Sequence, residues 1–560
     1  MDIAHELRGD DALVGAGVRH AALADPDRTF IHRGSDDQHI SYGTFEDLVA
    51  RVAHGLVNLG AEPGDRVCVF TRCPYTAVTA MFACWHAGLV YSPVNFSLRG
   101  EPLAHQVSDA APAIIVCEDA LVDPLLAHRP ALAAPPRLVV QGDAVPTPES
   151  WHAPTWAELE ATPTRIAPVP RTPFDVANIF YTSGTTGRPK GVVQPYRWMN
   201  QYTFLLRRML TADDVVYNDL PLYHVGGAVA NVARAAWAGA TISLWERFSP
   251  SDFWSRIERS QATLAILLDV MIPWLLKAPP SDADRVNTLN KVHMQPLPLY
   301  HNEVARRFGI DWVLSGFGQT ETGSVCAGLI DECAGGHGTP PDLYRGRSRE
   351  ELQQLFGGCG LPVIDGTAVT RKGFMGRPAP YFDVAVVDSD DEPCDDGEQG
   401  ELVVRPRLPG LLLSEYFGRP EATARAVRNL WFHTGDIVTR DPDGTFHFVD
   451  REGHRIRTRG ENVSSLQLED LLNAMPDVAM TAVLPVPAED GLEHDIAAFV
   501  VPADGAEIDA DAVHAWAKEH LPKFMRPRHV RIVADLPRTP TNKVEKYQLR
   551  ATLLQEIGVA

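Results

Sequence analysis

The chain has 560 residues, of which 45% are hydrophobic and 22% are charged. This composition is typical of a globular protein with roughly three or four domain-sized units, and it excludes disorder as the main state. The 51 basic and 72 acidic residues give a net charge of −21, which argues against a general nucleic-acid binder and against a protein that binds anionic membranes.

Three further features predict a cytoplasmic protein. No segment contains the roughly 18 to 20 uninterrupted apolar residues that a membrane span requires. Met1–Glu6 has neither the basic nor the apolar region of a secretory signal. The eight cysteines are scattered without a Cys-x-x-Cys pair, which predicts reduced thiols rather than disulfides. We therefore expect a cytoplasmic location, with no membrane and no nucleic acid as a partner.

The first half of the chain has the pattern of an α/β protein. Apolar runs predict strands at Arg66–Phe70, Leu89–Val94, Ala113–Cys117 and Arg137–Val140, with a helix over Tyr75–Ala87 between the first two. Such alternation favours parallel βαβ units covered by helices. Proline-rich stretches at residues 124–136 and 143–170 are predicted to be surface connections.

The pattern changes after Arg405. Asp441–Gly444 is a strong turn signal, and Thr445–Asp450 is predicted to be the returning strand. The remainder predicts a small α+β module with helices and strands in alternation, at Leu466–Ala474, Thr481–Val486, Asp495–Val501, Ala510–His520 and His529–Val533. We place a domain boundary at Asp450–Gly453, which gives domains 1–449 and 450–560.

The most informative motif is Tyr181-Thr-Ser-Gly-Thr-Thr-Gly-Arg-Pro-Lys-Gly191, which follows the apolar segment Val176–Phe180. Its glycines allow the backbone N–H groups to converge, and its hydroxyls add donors for the oxygens of a polyphosphate. Lys190 adds a positive charge for a phosphate. The spacing differs from that of a Walker A loop. The motif therefore predicts a distinct phosphate-binding loop rather than a flexible connection.

Five further motifs follow in order, and with the first they resemble the signature motifs of the adenylate-forming superfamily. They are Gly316–Thr322, Trp431–Asp436, Asp450-Arg451, Gly460–Ser464 and Pro537–Lys546. This superfamily comprises acyl-CoA synthetases, the adenylation domains of peptide synthetases, and luciferases. The resemblance covers roughly Ile40 to Arg550, and carnitine-type CoA ligases are the nearest in character. It implies a large N-terminal domain of stacked α/β subdomains with a β-barrel-like part, and a small mobile α+β C-terminal domain.

The resemblance implies that a carboxylate attacks the α-phosphorus of ATP to form an acyl-adenylate. Such a step joins two anions, so positioning and charge neutralisation dominate catalysis. Thr320 is then expected to contact the α-phosphate, and Glu321 to hold Mg²⁺. The expected ligands of the β- and γ-phosphates are Thr182, Ser183, Gly184, Thr185, Thr186, Gly187 and Lys190.

The same resemblance assigns the remaining nucleotide contacts and the domain movement. Phe317 is expected to lie against adenine, Asp436 to accept the ribose hydroxyls, and Arg451 to reach the ribose or a phosphate. Lys543 is expected to bridge the α-phosphate and the attacking carboxylate in the adenylation step. Gly453 marks a hinge between two placements of the small domain, and Gly460 a loop that faces the pantetheine arm of CoA.

The chain departs from the family pattern at several positions. The hinge reads Asp450-Arg-Glu-Gly-His454, which lacks the usual charged residues, and Asn542 replaces a glycine. Arg459 also replaces a glycine, and it either pairs with a CoA phosphate or obstructs the arm. His293–Leu299 stands where many members have a Gly-Gly-Ala-Pro-like segment near the adenine.

An insertion over Asp331–Lys372 is the largest departure. Cys333 and His337 are four residues apart, which suggests metal binding, but no second close pair supports it. The competing interpretation, which we favour, is an ordinary surface excursion or a homodimer contact. A lid beside the active site is a further hypothesis for a long insertion of this kind.

Candidate substrate-pocket residues are His224, Asp269 and Gly318. His224 is either the gate of the acyl pocket or a core histidine. Asp269 either binds a cationic substituent of the substrate or has a structural role. Met271 and Trp274 suggest a pocket for a ring or a short polar chain.

Three functions are compatible with these motifs. The first is an acyl-CoA synthetase that uses ATP, Mg²⁺ and CoA on a small or aromatic carboxylate. The second is an adenylate-forming enzyme that works without CoA and delivers to a carrier protein or an amine, including one that activates nitrite to diazotise an arylamine. The third is a catalytically silent nucleotide-binding protein, against which the retention of Glu321, Asp436 and Lys543 argues.

Overall fold

A computed structural model describes residues 3–8, 14–127, 132–143, 145–182, 189–333, 336, 338–451, 456–458, 461–488, 494–538 and 544–557. The chain forms two units: a large unit of Met1–Val384 with Val404–Phe432, and a small unit of Ala385–Val403 with His433–Ala560. The small unit thus takes in segments that precede Asp450, and the boundary at Asp450–Gly453 stays a prediction. The mixed α/β fold with a large and a small unit confirms the predicted fold class.

The helices are numbered in chain order. They are α1 (Ile3–Arg8), α2 (Val14–Ala24), α3 (Tyr42–Asn58), α4 (Pro74–Ala87), α5 (Gly100–Ala110), α6 (Asp119–Ala127), α7 (Trp156–Ala161), α8 (Tyr196–Arg208), α9 (Arg234–Ala238), α10 (Phe253–Ser260), α11 (Ile272–Leu276), α12 (His301–Phe308), α13 (Arg349–Gly358), α14 (Pro420–Ala426), α15 (Ser465–Asn473), α16 (Ala510–His520) and α17 (Lys546–Glu556). A π-helix over Gly226–Ala233 leads directly into α9. None of the helices within the described ranges has the length and apolar character needed to cross a membrane.

The strands are numbered in the same way. They are β1 (Thr29–Arg33), β2 (Gln38–Ser41), β3 (Arg66–Phe70), β4 (Val90–Pro93), β5 (Ile114–Glu118), β6 (Arg137–Gln141), β7 (Val176–Thr182), β8 (Lys190–Pro195), β9 (Val215–Asn218), β10 (Thr241–Leu244), β11 (Leu264–Leu268), β12 (Lys291–Gln295), β13 (Trp312–Gln319), β14 (Gly323–Asp331), β15 (Val363–Asp365), β16 (Phe374–Pro378), β17 (Phe382–Val387) and β18 (Gly400–Pro406). The later strands are β19 (Glu415–Tyr416), β20 (Val427–Arg428), β21 (Trp431–Arg440), β22 (Phe446–Arg451), β23 (Ile456–Thr458), β24 (Glu461–Val463), β25 (Val478–Pro487), β26 (His494–Pro502) and β27 (His529–Ile532).

Two sheets organise the large unit. The first has the order β19-β8-β7-β4-β3-β5-β6, in which β3 to β7 are parallel, β8 is antiparallel to β7, and the edge strand β19 is antiparallel to β8. The second contains the run β16-β14-β13-β12-β11-β9-β10-β1-β2, in which β13, β12, β11, β9, β10 and β1 are parallel neighbours. The predicted parallel βαβ units are therefore confirmed.

One hydrophobic core joins the two sheets. It contains residues of both sheets together with helices α3, α4, α8 and α9. Helix α4 is buried around almost its whole circumference, as expected for a helix between two sheets. Its sequence from Tyr75 is correspondingly apolar, and Gly88 ends it in a left-handed conformation with φ of 71°.

Two of the predicted surface connections contain helices. Pro124 lies inside α6, where Leu121, Val122 and Leu125 are buried, so tertiary packing outweighs the hydrogen bond that proline removes. Within residues 143–170, α7 begins at a capping box in which Thr155 and Glu158 satisfy each other's backbone N–H groups. That Thr-x-x-Glu pattern is the sequence signal that identifies the helix.

The small unit has its own three-stranded sheet. Strand β26 pairs antiparallel with β25 and parallel with β27. Residues of α15 and α16 pack with the sheet in one apolar cluster, and residues of α17 pack in a second. The predicted α+β character of this region is confirmed, with each predicted strand and helix within three residues of its observed bounds.

The described part of the insertion packs onto the large unit. Strand β14 runs antiparallel to β13, so Asp331 at its end lies opposite Trp312, at the start of β13. Strand β15 continues from there as a parallel neighbour of β14. Asn290 and Lys291 bind the carbonyl oxygen of Arg345 at 2.8 and 3.1 Å. The described part of the insertion is therefore attached at the end of β13 opposite to Thr320, and the hypotheses of a lid and of a homodimer contact stay predictions.

Candidate active site

The parallel strands of the second sheet bring predicted site residues to one edge. His224 lies in the segment after β9, Asp269 directly follows β11, and Thr320 directly follows β13. Because these strands are parallel, their carboxyl ends meet at the same edge. Ligands of open α/β sheets bind at this edge.

The phosphate-binding motif lies in a hairpin of the first sheet. Strands β7 and β8 are antiparallel, and Thr182 is paired directly with Lys190. The two residues therefore close the mouth of the intervening loop. The predicted phosphate ligands Ser183, Gly184, Thr185, Thr186 and Gly187 lie outside the described residues.

Tyr416 connects Lys190 to Glu321. The Lys190 Nζ lies over the Tyr416 ring, 4.7 Å from its centroid, in a cation–π contact. The Tyr416 hydroxyl donates a hydrogen bond to Glu321 Oε1 at 3.0 Å. Burial and then the charge of Glu321 raise the pKa of the Tyr416 phenol, which therefore stays protonated as a donor. This residue was not among the sequence predictions.

Tyr416 reaches this position through backbone pairing. Strand β19 pairs antiparallel with β8, so Tyr416 lies opposite Val192, two residues beyond Lys190. Its side chain is 8% exposed. No sequence spacing indicates that Tyr416 and Glu321, 95 residues apart, share a hydrogen bond.

Side chains from β8 and α8 hold the turn between β13 and β14. Three carbonyl oxygens of the turn accept side-chain hydrogen bonds, from Gln194 to Thr320 at 2.8 Å, from Trp198 to Glu321 at 3.2 Å and from Gln201 to Thr322 at 3.0 Å. Gly323 ends the turn with φ of 66°, and an added Cβ would lie 1.7 Å from the Gln201 amide nitrogen. The backbone of the predicted α-phosphate and Mg²⁺ residues is thus fixed from one side.

The predicted adenine and substrate residues differ in exposure. Phe317 lies on β13 and is largely buried, and Gly318 follows it at a point where an added Cβ would lie 2.5 Å from the Gly323 oxygen. His224 is half-buried, with its ring 4.7 Å from that of Tyr223. Asp269 is exposed, and its Oδ1 accepts the N–H of Val270 at 2.8 Å.

The small unit carries the predicted ribose residues. Asp436 on β21 is paired with Arg451 on β22, and the Arg451 Nε lies 3.4 Å from Asp436 Oδ1. The Asp436 side chain is buried, whereas that of Arg451 is 46% exposed. Asp436 also donates its N–H to Thr434 Oγ1 at 3.1 Å. The carboxylate is therefore oriented by its strand and by a basic neighbour.

The predicted catalytic lysine and the hinge and CoA residues lie outside the described residues. These are Lys543, Gly453, Arg459 and Gly460, as is His337 of the insertion. The structure describes the residues on either side of the Lys543 segment. Arg538 and Val544 form an antiparallel bridge, and Lys546 Nζ lies 2.7 Å from Glu469 Oε1. The bridge thus holds Arg538 and Val544, which flank the segment, next to each other.

Comparison with known proteins agrees with this geometry. The model of the AMP-binding enzyme family matches residues 18–409, and that of the AMP-binding enzyme C-terminal domain matches residues 467–543. The chain is 29% identical over 541 residues to a feruloyl-CoA synthase of an Amycolatopsis species, covering 95% of this chain and 97% of that protein. It is 28% identical over 527 residues to a crotonobetaine/carnitine–CoA ligase of Salmonella agona, covering 92% and 93%.

A solved structure extends this likeness to the fold. The crystal structure of ATP-bound MatB from Rhodopseudomonas palustris aligns with a TM-score of 0.79 and 26% sequence identity, over 98% of this chain and 99% of that chain.

Proposed function

The chain belongs to the AMP-binding enzyme family, and on that basis we propose that it is an AMP-forming acid–thiol ligase that acts on a small or aromatic carboxylate. In the first step a carboxylate oxygen attacks the α-phosphorus of ATP, and the bond to the bridging oxygen breaks to release pyrophosphate. In the second step the sulfur of CoA attacks the acyl carbonyl, and AMP leaves with the carboxylate oxygen that had joined it.

The observation that carries this proposal is the series of side-chain contacts from Lys190 through Tyr416 to Glu321 at the mouth of the glycine-rich hairpin. It joins a cation beside the predicted β- and γ-phosphate loop to a carboxylate on the turn that carries Thr320. A positive charge and a metal-binding acid are the groups that neutralise a polyphosphate during attack on its α-phosphorus. A catalytically silent nucleotide-binding protein has no need of this arrangement.

The residues present fit Mg²⁺ and a nucleotide. Mg²⁺ prefers oxygen ligands and retains waters, so one carboxylate such as that of Glu321, together with phosphate oxygens, suits it. The ion supplies charge neutralisation on the phosphates. Asp436 offers two acceptor oxygens to the ribose hydroxyls. We assign Lys543 to the charge between the carboxylate and the α-phosphate, and Phe317 to the adenine face.

The named relatives support CoA as the acceptor. Both curated relatives reported above are CoA ligases or synthases by name. The alternatives that work without CoA, including delivery to a carrier protein or activation of nitrite, are therefore not favoured. The cytoplasmic location and the homodimer stay predictions.

ATP–pyrophosphate exchange across a panel of acids tests the proposal. The panel contains ferulate, benzoate, carnitine, crotonobetaine, glutarate and nitrite, each with and without CoA. We expect exchange with at least one carboxylate and CoA-dependent release of AMP and thioester. Turnover that is indifferent to CoA would contradict the acid–thiol assignment, and absence of exchange with every acid would contradict adenylation. Glu321→Gln should abolish exchange, whereas Glu303→Gln, the same change on the exposed face of α12, should not.

A further inference from the structure

A fully buried arginine lies inside the large unit. Arg234 begins α9, and its relative exposure is 0%. Its Nη2 donates a hydrogen bond to Asn231 Oδ1 at 2.6 Å. Its Nε and Nη1 have no hydrogen-bond partner within the part of the chain that the structure describes. A buried guanidinium with unused donors is strongly unfavourable unless a ligand satisfies it.

No acid among the described residues forms an ion pair with Arg234. The carboxylate whose charge reaches it is that of Asp214. Asp214 is itself fully buried and is already paired with Lys291 at 2.9 Å and with the Thr263 hydroxyl at 2.7 Å. Burial lowers the pKa of Arg234 to about 9, so the guanidinium still carries its charge near neutral pH. Arg234 is therefore a buried positive charge that no ion pair within the described part of the chain neutralises.

Three neighbours of Arg234, namely His293, Tyr202 and Asn231, are neutral near pH 7. Burial, and then the charge of Arg234, lower the pKa of His293 to about 4, and its Nδ1 has no hydrogen-bond partner within the described ranges. Burial raises the pKa of the Tyr202 phenol to about 12, and Arg234 opposes this shift. Asn231 contributes an amide. One cation among neutral hydrogen-bonding groups is a site for a single anionic group.

The helix before Arg234 has an unusual form. The eight residues Gly226–Ala233 are π-helical, and they follow the segment that contains His224. π-Helical turns are rare and occur frequently at functional sites. At its start, a Cβ added to Gly227 would lie 2.7 Å from the oxygen of Pro221, so the π-helix packs tightly against that segment.

Two aromatic rings connect Arg234 to the candidate active site. The Tyr202 ring lies 4.9 Å from that of Trp198, and Trp198 Nε1 donates to the Glu321 carbonyl oxygen at 3.2 Å. His293 lies on β12, two residues before its carboxyl end, between the strands that end before Asp269 and Thr320. Arg234 therefore interacts electrostatically with Tyr202 and His293, two residues that lead toward the edge of the sheet at which the reacting carboxylate is expected.

We propose that Arg234 binds an anionic substituent of the acid substrate, so that the enzyme selects acids that carry a second negative charge. The inference rests on the proposed function, which concerns the reacting carboxylate, and adds the class of substrate. A guanidinium matches a carboxylate through two parallel hydrogen bonds. Asp269, by contrast, is exposed, and its contact with a cationic substituent stays a prediction.

Paired substrates test this selection by ATP–pyrophosphate exchange. We compare glutarate with butyrate and isophthalate with benzoate, in the wild type, Arg234→Met and Arg234→Lys. The wild type should prefer the diacid of each pair by at least about tenfold in kcat/KM. Arg234→Met should lose about 100-fold on diacids, the loss expected for a charge-assisted bidentate contact, and about threefold or less on monoacids. Arg234→Lys should lie between them.

A matched control separates selection from packing. Arg207 is partly buried, and its guanidinium lies over the Trp237 ring at 4.5 Å and donates to the Thr203 hydroxyl at 3.2 Å. Arg207→Met should reduce activity on both acids of a pair alike. Equal losses for the two acids in Arg234→Met would overturn the proposal, as would a wild type indifferent to the second carboxylate.

Thermal unfolding without ATP tests, independently of catalysis, whether Arg234 binds an anionic group of the substrate. Removing an unsatisfied buried charge should raise the unfolding midpoint of Arg234→Met above that of the wild type. Glutarate or isophthalate should raise the midpoint of the wild type but not of Arg234→Met. A large fall in the midpoint of Arg234→Met would show that Arg234 is structural, and equal stabilisation by sulfate or nitrite would show a general anion site. Should no acid support exchange, the proposed function fails, whereas these midpoints still test Arg234.

Discussion

Replacing Tyr416 by phenylalanine removes one hydroxyl from the side-chain contacts that join Lys190 to Glu321. The ring remains, so the cation–π contact with Lys190 is kept, and only the 3.0 Å hydrogen bond to Glu321 is lost. A hydrogen bond to a charged group contributes about 1.5–3 kcal/mol. Because Glu321 is half-buried, solvent screens it and the lower end of this range applies. About 1.5 kcal/mol corresponds to about a tenfold change.

Pyrophosphate exchange at varied Mg²⁺ concentration measures this change. Tyr416→Phe should lower kcat/KM for MgATP about tenfold and shift the Mg²⁺ dependence to higher concentration, since Glu321 loses the partner that orients it. Tyr381→Phe is the matched control, because its hydroxyl donates to the Gln201 carbonyl oxygen at 3.0 Å in the same unit. That variant should lose about 1 kcal/mol of stability with no shift in the Mg²⁺ dependence.

Two results would refute the reasoning about Tyr416. One is an unchanged Mg²⁺ dependence in Tyr416→Phe, which would make the hydroxyl merely structural. The other is strict additivity in a double-mutant cycle with Glu321→Gln, since residues that act through one hydrogen bond show a coupling energy.

Three further changes have defined outcomes. Lys543→Ala should abolish pyrophosphate exchange while leaving thioester formation from a supplied acyl-adenylate intact, and equal loss of both half-reactions would contradict the assigned role. Lys546→Met leaves the Glu469 carboxylate buried without its partner, so it should destabilise the small unit by about 3–5 kcal/mol at pH 8. Because burial raises the pKa of Glu469, this loss of stability should shrink toward pH 5, where the carboxyl takes up a proton. Urea unfolding at both pH values and hydrogen exchange of α17 measure the change. Lys291→Met breaks the buried pair with Asp214 and should cost about 3–5 kcal/mol while exposing the insertion to limited proteolysis; unchanged cleavage would show that other contacts hold the insertion.

Local sequence patterns predicted much of the fold because apolar residues occur where a strand or helix is buried. The strand at Arg66–Phe70 and its successors are continuous apolar runs, which parallel strands covered on both faces require. The helix at Trp156 was missed although its capping box is visible in the sequence. Helix α6 contradicts the usual effect of proline because the burial of its leucines is decided by tertiary packing.

The site was harder to predict from the sequence where it depends on pairing between strands that are far apart along the chain. Thr182 and Lys190 lie in one motif, and their pairing across a hairpin follows from it. Tyr416 joins them only because β19 pairs with β8, and no local pattern marks that pairing. Arg234 lies in an alanine-rich segment whose sequence predicts an ordinary helix. Only the packing around Arg234 shows that its charge is buried and that two of its donors are unused.

The fate of a carboxylate oxygen tests the proposed AMP-forming reaction most directly. The acid with the highest exchange rate is prepared with both carboxylate oxygens as ¹⁸O and incubated with ATP, Mg²⁺ and CoA. The account predicts that each AMP formed carries one ¹⁸O and that the other stays in the thioester. Label in inorganic phosphate or pyrophosphate, or AMP without label, would contradict attack of the carboxylate on the α-phosphorus.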